Sequence, residues 1–453
     1  MPKKVRPAQP GKEEPGTRFF GFVIRGTDQF TLRKHVLILA ALSLVMKWVT
    51  VFITQDVFLS FVDLFDITYY LKFALRIFGG QVPYAGFSLD YPQGALVTIL
   101  LPLLLVILSG GLPALAGGNP MGYVLFHQAI MVLLDLGTTI LVYLIGLRLF
   151  DEKRAFRAGI LYATAFSAAY FVLTKYDSYP TFFLMLSIAL FIYGRETGAY
   201  LAGAWGFLTK WFPVLALPYF LILDLKSGVE KKVIERNLGL SVLLVLVVTV
   251  PFFILSPSGF ITTYTINTGF NTLTHGFIFY LDFIAKTLTG VAIFSTISLA
   301  LAVLAELGLL YVFYRRPSTT PLALCAFILF AVFAFILTNK IASPQYLQWV
   351  APLLAIFLAG SAVEAVLFYA AQFWWFLEFP VLYNVIYNNI AGYGPAGAGF
   401  PTVTFLFFTV KFALIFTLIW MVARKLAAAP LGQALKPAQP AKAGKLQKAE
   451  KPA

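Results

Sequence analysis

Long apolar runs separated by short polar breaks dominate this chain. Runs close to the ~20 residues that cross a bilayer recur at 35–55, 122–147, 158–174, 180–194, 238–256, 291–314, 320–338, 346–362, 363–380 and 401–423. They are continuous rather than alternating, which excludes the strands of a closed β-barrel. The pattern predicts an all-α polytopic membrane protein with about 11–13 transmembrane helices. Two stretches break the pattern. Residues 199–224 are interrupted at Lys210-Trp211-Phe212-Pro213. Each arm has about 11 residues, or ~16 Å of helix, which is half a bilayer. This stretch reads as a hairpin or two short helices with Lys210 near the apex. Residues 94–117 carry Pro102, Gly110-Gly111 and Gly117-Gly118 and read as a re-entrant segment. No solenoid-type repeat is visible.

Composition agrees. The 453 residues are 60% hydrophobic and 12% charged, with a mean hydropathy of +0.83. Soluble domains carry about 25% charged residues, so no large soluble domain has room to exist. The net charge of +14 does not point to nucleic acid, because Lys and Arg gather at the termini and in short loops. The positive-inside rule then makes loops 148–157, 225–236, 315–316 and 424–425 cytoplasmic. The outer loops become 56–93, 175–179, 257–277, 339–345 and 381–400. Three regions are expected: a basic cytoplasmic arm at 1–34, a transmembrane domain at 35–425 with its first outer loop at 56–93, and a disordered basic cytoplasmic tail at 426–453. The first apolar run lacks a small-residue cleavage site, so no cleavable signal peptide is expected. The single Cys325 sits in an apolar run and excludes an intrachain disulfide.

The outer loops carry the candidate chemistry. Asp63, Asp66 and Asp90 lie among aromatics in FVDLFDITYYLKFALRIFGGQVPYAGFSLDYPQ. Carboxylates are costly beside hydrocarbon and mark a site; one held there can take a proton from a hydroxyl. If 61–78 is helical, Asp66, Tyr69, Tyr70, Phe73 and Ile77 share a face, with Asp63 one turn earlier. That describes an amphipathic helix on the membrane; aspartates that merely favour its N-terminus are the plain alternative. Lys72 and Arg76 read as snorkelling to lipid phosphates. Gly79-Gly80 ends the helix, and Pro83-Tyr84 and Tyr91-Pro92 form stiff extended turns.

Lys210, beside a helix break, needs an anionic partner. With Lys340 it could neutralise a lipid phosphate as it leaves. Lys175 and Asp177 either pair with each other or belong to a site. His275 binds a phosphate or hydroxyl, or is structural. His35 and His127 read as structural. No metal-ligand cluster is visible; Asp63 with Asp66 would hold a divalent cation only weakly. Asp135 lies mid-span and needs a buried partner.

These residues resemble a known family. Asp66-x-x-Tyr69-Tyr70, Gly80-x-x-Pro83-Tyr84 and Tyr91-Pro92 are similar to the first outer loop of GT-C glycosyltransferases. The similarity is nearest to the polyprenyl-phosphate-mannose-dependent branch, glycosyltransferase family 87. A more distant likeness is to the eukaryotic GPI mannosyltransferase I. Gly206-x-x-Thr209-Lys210-x-x-Pro213 resembles that superfamily's membrane break, and Ser343-Pro344-Gln345-Tyr346-x-x-Trp349 its late outer loop. His275 resembles a middle-loop histidine. The matches cover about residues 35 to 350 in the family's order; nothing after 363 matches.

The resemblance implies a GT-C-like bundle and inverting transfer of a sugar, mannose favoured. The donor would be a polyprenyl or dolichyl phosphate, and the acceptor a glycolipid or glycan hydroxyl at the outer face. Asp66 would be the base, with Asp63 as the alternative, because Asp66 lacks the acidic neighbour many members carry. Lys210, Lys340 and His275 would take the donor phosphate. Tyr69, Tyr70, Tyr84, Asp90, Tyr91, Asp177, Gln345 and Tyr346 would contact substrate. No metal cofactor is implied. A lipid-linked-sugar flippase or other transporter is the competing reading, with Asp135 its main support; a non-catalytic scaffold is a third.

Overall fold

The computed structural model describes residues 17–19, 21–24, 26–57, 61–269, 275–317, 320–383 and 402–428. Residues 1–16 of the basic arm, the tail from 429, and parts of the expected outer loops 257–277 and 381–400 lie outside the described residues.

Asp28 starts the first helix: its carboxylate accepts the N–H groups of Phe30 and Thr31. Helix α1 is Gln29–Val51, followed by α2 (Phe65–Phe78), α3 (Leu96–Leu108), α4 (Leu112–Ala116) and α5 (Met121–Leu149). The chain continues through α6 (Glu152–Ala163), α7 (Phe166–Thr174), α8 (Ser178–Ile192), α9 (Glu196–Thr209) and α10 (Leu217–Lys226). Then come α11 (Lys231–Leu255), α12 (Pro257–Gly269), α13 (Phe277–Thr289), α14 (Phe294–Arg315), α15 (Pro321–Thr338), α16 (Leu347–Leu358), α17 (Ala362–Phe376) and α18 (Thr402–Ala428). Among the described residues the only sheet is an antiparallel hairpin, β1 (Thr17–Phe19) with β2 (Phe22–Ile24), clamped where Arg195 donates to the Gly21 carbonyl.

The protein is thus a polytopic, almost wholly helical membrane protein. Six described helices are long and apolar enough to cross a bilayer: α1, α5, α11, α14, α15 and α18. A seventh forms if α6 and α7, bent by 52°, count as one span. The runs expected to span at 180–194, 346–362 and 363–380 form helices of only 15, 12 and 15 residues. The count of about 11–13 crossings therefore exceeds the helices of full spanning length, which is ~20 residues. Capping chemistry explains one shortfall: Ser361 and Glu364 form a capping box that starts α17 afresh.

Burial separates the lipid side from the core. Val242, Leu243, Val247 and Ile254 on α11, and Leu299, Leu304 and Leu307 on α14, are exposed. Such apolar surface is stable in lipid rather than water. In contrast, every residue of α16 is buried. Between α1 and α5 runs a buried ion pair, Lys47 with Asp135. Ser43 also reaches Asp135 Oδ2, and Tyr162 donates to Oδ1 at 2.6 Å. This is the partner that Asp135 required.

Helices α9 and α10 are the two short helices expected around Lys210, which is extended at φ −162°, ψ 151°. Gly206 permits the break. A β-carbon there would stand 2.7 Å from Pro213 Cβ, too close for two carbons. Helix α3, with 13 residues, spans ~20 Å and stops at Gly110, whose φ is +74°. It is too short to cross a bilayer alone.

Candidate active site

The site is assembled from α2, the turn between α7 and α8, the α9–α10 break and the start of α16. Helix α2 begins at Phe65, later than expected, and buries Ile67, Tyr70, Leu71, Phe73 and Ala74. Of the expected face, Tyr70 and Phe73 are buried, and Asp66, Tyr69 and Ile77 are partly buried. The apolar ridge Ile67-Tyr70-Leu71-Ala74, at i, i+3, i+4 and i+7, turns inward. Asp66 and Tyr69 are left at its margin. Gly79 and Gly80 end the helix as expected, Gly80 with φ +85°.

Asp63 and Asp66 meet one cation. Lys175 Nζ lies 2.8 Å from Asp63 Oδ2 and 3.1 Å from Asp66 Oδ2. Lys175 is buried, whereas the Asp66 side chain is 21% exposed. Burial pushes the Asp66 carboxyl above the usual range, and the Lys175 charge opposes that rise. Burial alone would lower the Lys175 ammonium; Asp66 and Asp63 together carry it above its ordinary value.

Asp177, two residues on, does not pair with Lys175. It takes Lys210 Nζ at 2.6 Å and the Trp349 indole N–H at 2.6 Å, both on Oδ1. Its Oδ2 is buried without a partner. Lys210 lies 4.9–5.2 Å from the ring centres of Trp349, Tyr176 and Tyr346. Trp349 is stacked between Tyr346 at 3.7 Å and Phe212 at 4.2 Å. Rings of Tyr70, Tyr91 and Tyr176 pack edge-on at 5.2–5.6 Å and join the Asp66 side to the Asp177 side.

The remaining expected residues divide. Tyr69 donates to Asp90 Oδ2 at 2.9 Å; burial and that carboxylate push its phenol up to about 12. Tyr84 donates to the Tyr91 carbonyl at 2.8 Å. Its backbone is left-handed, with φ +67°, not the extended turn expected. Gln345 accepts from Ser343. Lys340 forms no ion pair among the described residues. His275 lies on another side of Tyr346: with Lys411 it lines a small pocket that Ser343 and Tyr346 also line. There His275 Nδ1 is 2.8 Å from Glu378 Oε1, and Lys411 Nζ is 2.7 Å from the same oxygen.

Sequence reasoning missed the bridging role of Lys175 and the roles of Trp349, Glu378 and Lys411. Lys175 carried a signal, a cation at the polar end of an apolar run. Glu378 and Lys411 carried one too, each a lone charge inside an expected span, but nothing in the sequence paired them. Among the described residues no group of three or more His, Cys, Asp or Glu is arranged to hold a metal.

No family model and no curated protein matches the chain. Among solved structures it is similar to the archaeal oligosaccharyltransferase AglB from Archaeoglobus fulgidus, in complex with an inhibitory peptide and a dolichol-phosphate. The identity is 12% and the TM-score 0.42, over 89% of this chain and 56% of that one. The chain thus spans little more than half the length of that structure. A likeness at this level assigns no residue of this chain a role.

Proposed function

We propose that this protein is an inverting glycosyltransferase. It moves a sugar, with mannose favoured, from a polyprenyl- or dolichyl-phosphate donor to an acceptor hydroxyl at the outer membrane face. One observation carries this reading. Motif segments far apart in sequence, around Asp66, Tyr91, Asp177, Lys210 and Tyr346–Trp349, meet in one cluster of carboxylates, lysines and rings. Their resemblance to GT-C glycosyltransferases gives the cluster its chemistry.

In this mechanism Asp66 accepts the proton of the acceptor hydroxyl. The oxygen attacks the anomeric carbon, and the bond from that carbon to the phosphate oxygen breaks. The lipid phosphate departs with the electron pair, and the proton passes from Asp66 to solvent. Ammonium charge stabilises the leaving phosphate where it develops. Lys210 is the first candidate because it is seated among the rings of Tyr176, Tyr346 and Trp349; Lys340 and His275 are further ones. The unpartnered Asp177 Oδ2 suits a sugar hydroxyl. Tyr69, Tyr70, Tyr84, Asp90, Tyr91, Gln345 and Tyr346 complete the walls. A lipid monophosphate leaving against lysines needs no metal. The transport reading has less to stand on, because Asp135, its main support, already has Lys47.

The test is transfer of radiolabelled sugar from polyprenyl-phosphate-mannose, and from the glucose analogue, to a membrane-lipid extract. Wild type, Asp66→Asn and Asp63→Asn are compared with and without EDTA. EDTA-resistant transfer that is lost in Asp66→Asn is expected. No transfer from either donor, with movement of labelled lipid across a vesicle membrane, would replace the enzyme by a flippase.

A further inference from the structure

Two aspartates one turn apart compete to be the base, and their oxygens are not equally occupied. Asp63 uses both: Oδ1 accepts the Phe65 N–H at 3.1 Å, and Oδ2 takes Lys175 at 2.8 Å. Asp63 is thereby tied to the start of α2. Asp66 has one contact, the Lys175 ammonium at 3.1 Å from Oδ2, and accepts no further hydrogen bond among the described residues. Lys175 arrives from the end of α7, with its ammonium 5.4 Å from the Phe379 ring centre.

We infer that Lys175 is a positioning residue that divides the labour between these carboxylates. It locks Asp63 into the scaffold and holds Asp66 by a single oxygen, leaving the other to take the acceptor's proton. This rests on the transferase reading above. Each carboxylate oxygen offers two lone pairs, but Asp63 has both oxygens fixed, one by the helix start and one by Lys175, whereas Asp66 keeps one oxygen wholly unengaged among the described residues. A carboxylate held by a single cation keeps its orientation and its free lone pairs.

The surroundings of Asp66 set the sign of each test. Asp63, on the same stretch, and Asp177, from the α7–α8 turn, raise its pKa; Lys175 lowers it. The phenols of Tyr70, Tyr91 and Tyr176 also face it. His127 on α5 faces Tyr70 instead. Removing Lys175 therefore moves Asp66 up, and neutralising Asp63 moves it down.

The experiment measures two quantities in Lys175→Met, Lys175→Arg, Asp63→Asn and wild type. One is the acid limb of kcat/KM for transfer. The other is the carboxyl titration by isotope-edited infrared spectroscopy, assigned by difference with Asp66→Asn and without donor. In Lys175→Met both rise by about 1 pH unit or more, the scale of a lost neighbouring opposite charge. In Asp63→Asn both fall, and measurable transfer survives. Lys175→Arg restores the wild-type values.

A merely structural lysine would cost folded protein and leave both limbs in place, which would overturn the inference. Transfer lost in Asp63→Asn but kept in Asp66→Asn would overturn it too. If wild type transfers no sugar but the infrared titration moves in these opposite directions, the positioning stands and the transferase reading falls. If Lys175→Met fails to fold, Asp63→Asn decides alone, read on protein whose thermal unfolding midpoint matches wild type, because unfolding would itself drop the Asp66 midpoint toward its ordinary value.

Discussion

Two buried lysine–aspartate clusters in this protein use the same residue types for opposite ends. In the bundle interior, Asp135 is 2% exposed, and both its oxygens are engaged, by Lys47, Ser43 and Tyr162. At the site, Asp66 is 21% exposed and held by one ammonium. The interior cluster ties α1 to α5 and α6, with both carboxylate oxygens committed to partners from the scaffold. The site cluster has an excess carboxylate and an unused oxygen. On the proposed function, how far a carboxylate's oxygens are already engaged, together with its burial, separates a structural ion pair from a chemical one.

The contrast is broken most directly by isosteric amides. Asp66→Asn should lower kcat by about 10²–10⁴, the usual contribution of a general base, with little change in the thermal unfolding midpoint in detergent. A loss below tenfold would erase the distinction between the clusters. Asp135→Asn should do the reverse. It strands Lys47 in the interior and should cost about 3–5 kcal/mol of stability, read by unfolding, while transfer per folded molecule is retained. The paired change Lys47→Met with Asp135→Leu should recover most of that loss.

Smaller effects sharpen the comparison. Trp349→Phe keeps the stacking but removes the N–H on Asp177 Oδ1, leaving that carboxylate on Lys210 alone. A fall in donor kcat/KM worth about 1–3 kcal/mol is expected; an unchanged value would remove Asp177 from the site. The subtlest prediction is the wild-type pH profile. As the proposed base Asp66 must be deprotonated, and burial holds its pKa above the ordinary 3.8. Transfer should rise with pH through a limb lying above that value. A limb at or below it would mean that Asp66 is not the base.

Much of this was legible in the residues alone. Apolar runs declared a helical membrane protein, because a bilayer leaves the backbone few ways to satisfy its own hydrogen bonds. Pro213 and Gly206 placed the break at Lys210, and Gly79-Gly80 ended α2. Local rules of this kind need no knowledge of distant neighbours. Crossing numbers were harder to read, since a capping box at Ser361 or a bend between α6 and α7 divides a run without changing its hydropathy.

What tertiary structure decided was pairing. Sequence placed Lys175 beside Asp177 and left them to pair or to belong to a site; the fold gave Lys175 to Asp63 and Asp66, and Asp177 to Lys210 and Trp349. Sequence put Asp66, Tyr69, Tyr70 and Phe73 on the inward face of α2; the fold buried Tyr70 and Phe73 beside Ile67, Leu71 and Ala74 and left Asp66 and Tyr69 partly buried at the edge. Glu378, Lys411 and His275 met across more than 100 residues with no motif to announce them. Hydropathy and turn chemistry act along the chain and are written in it. Charge matching acts through space, so which carboxylate a buried lysine neutralises is known only once the helices have packed.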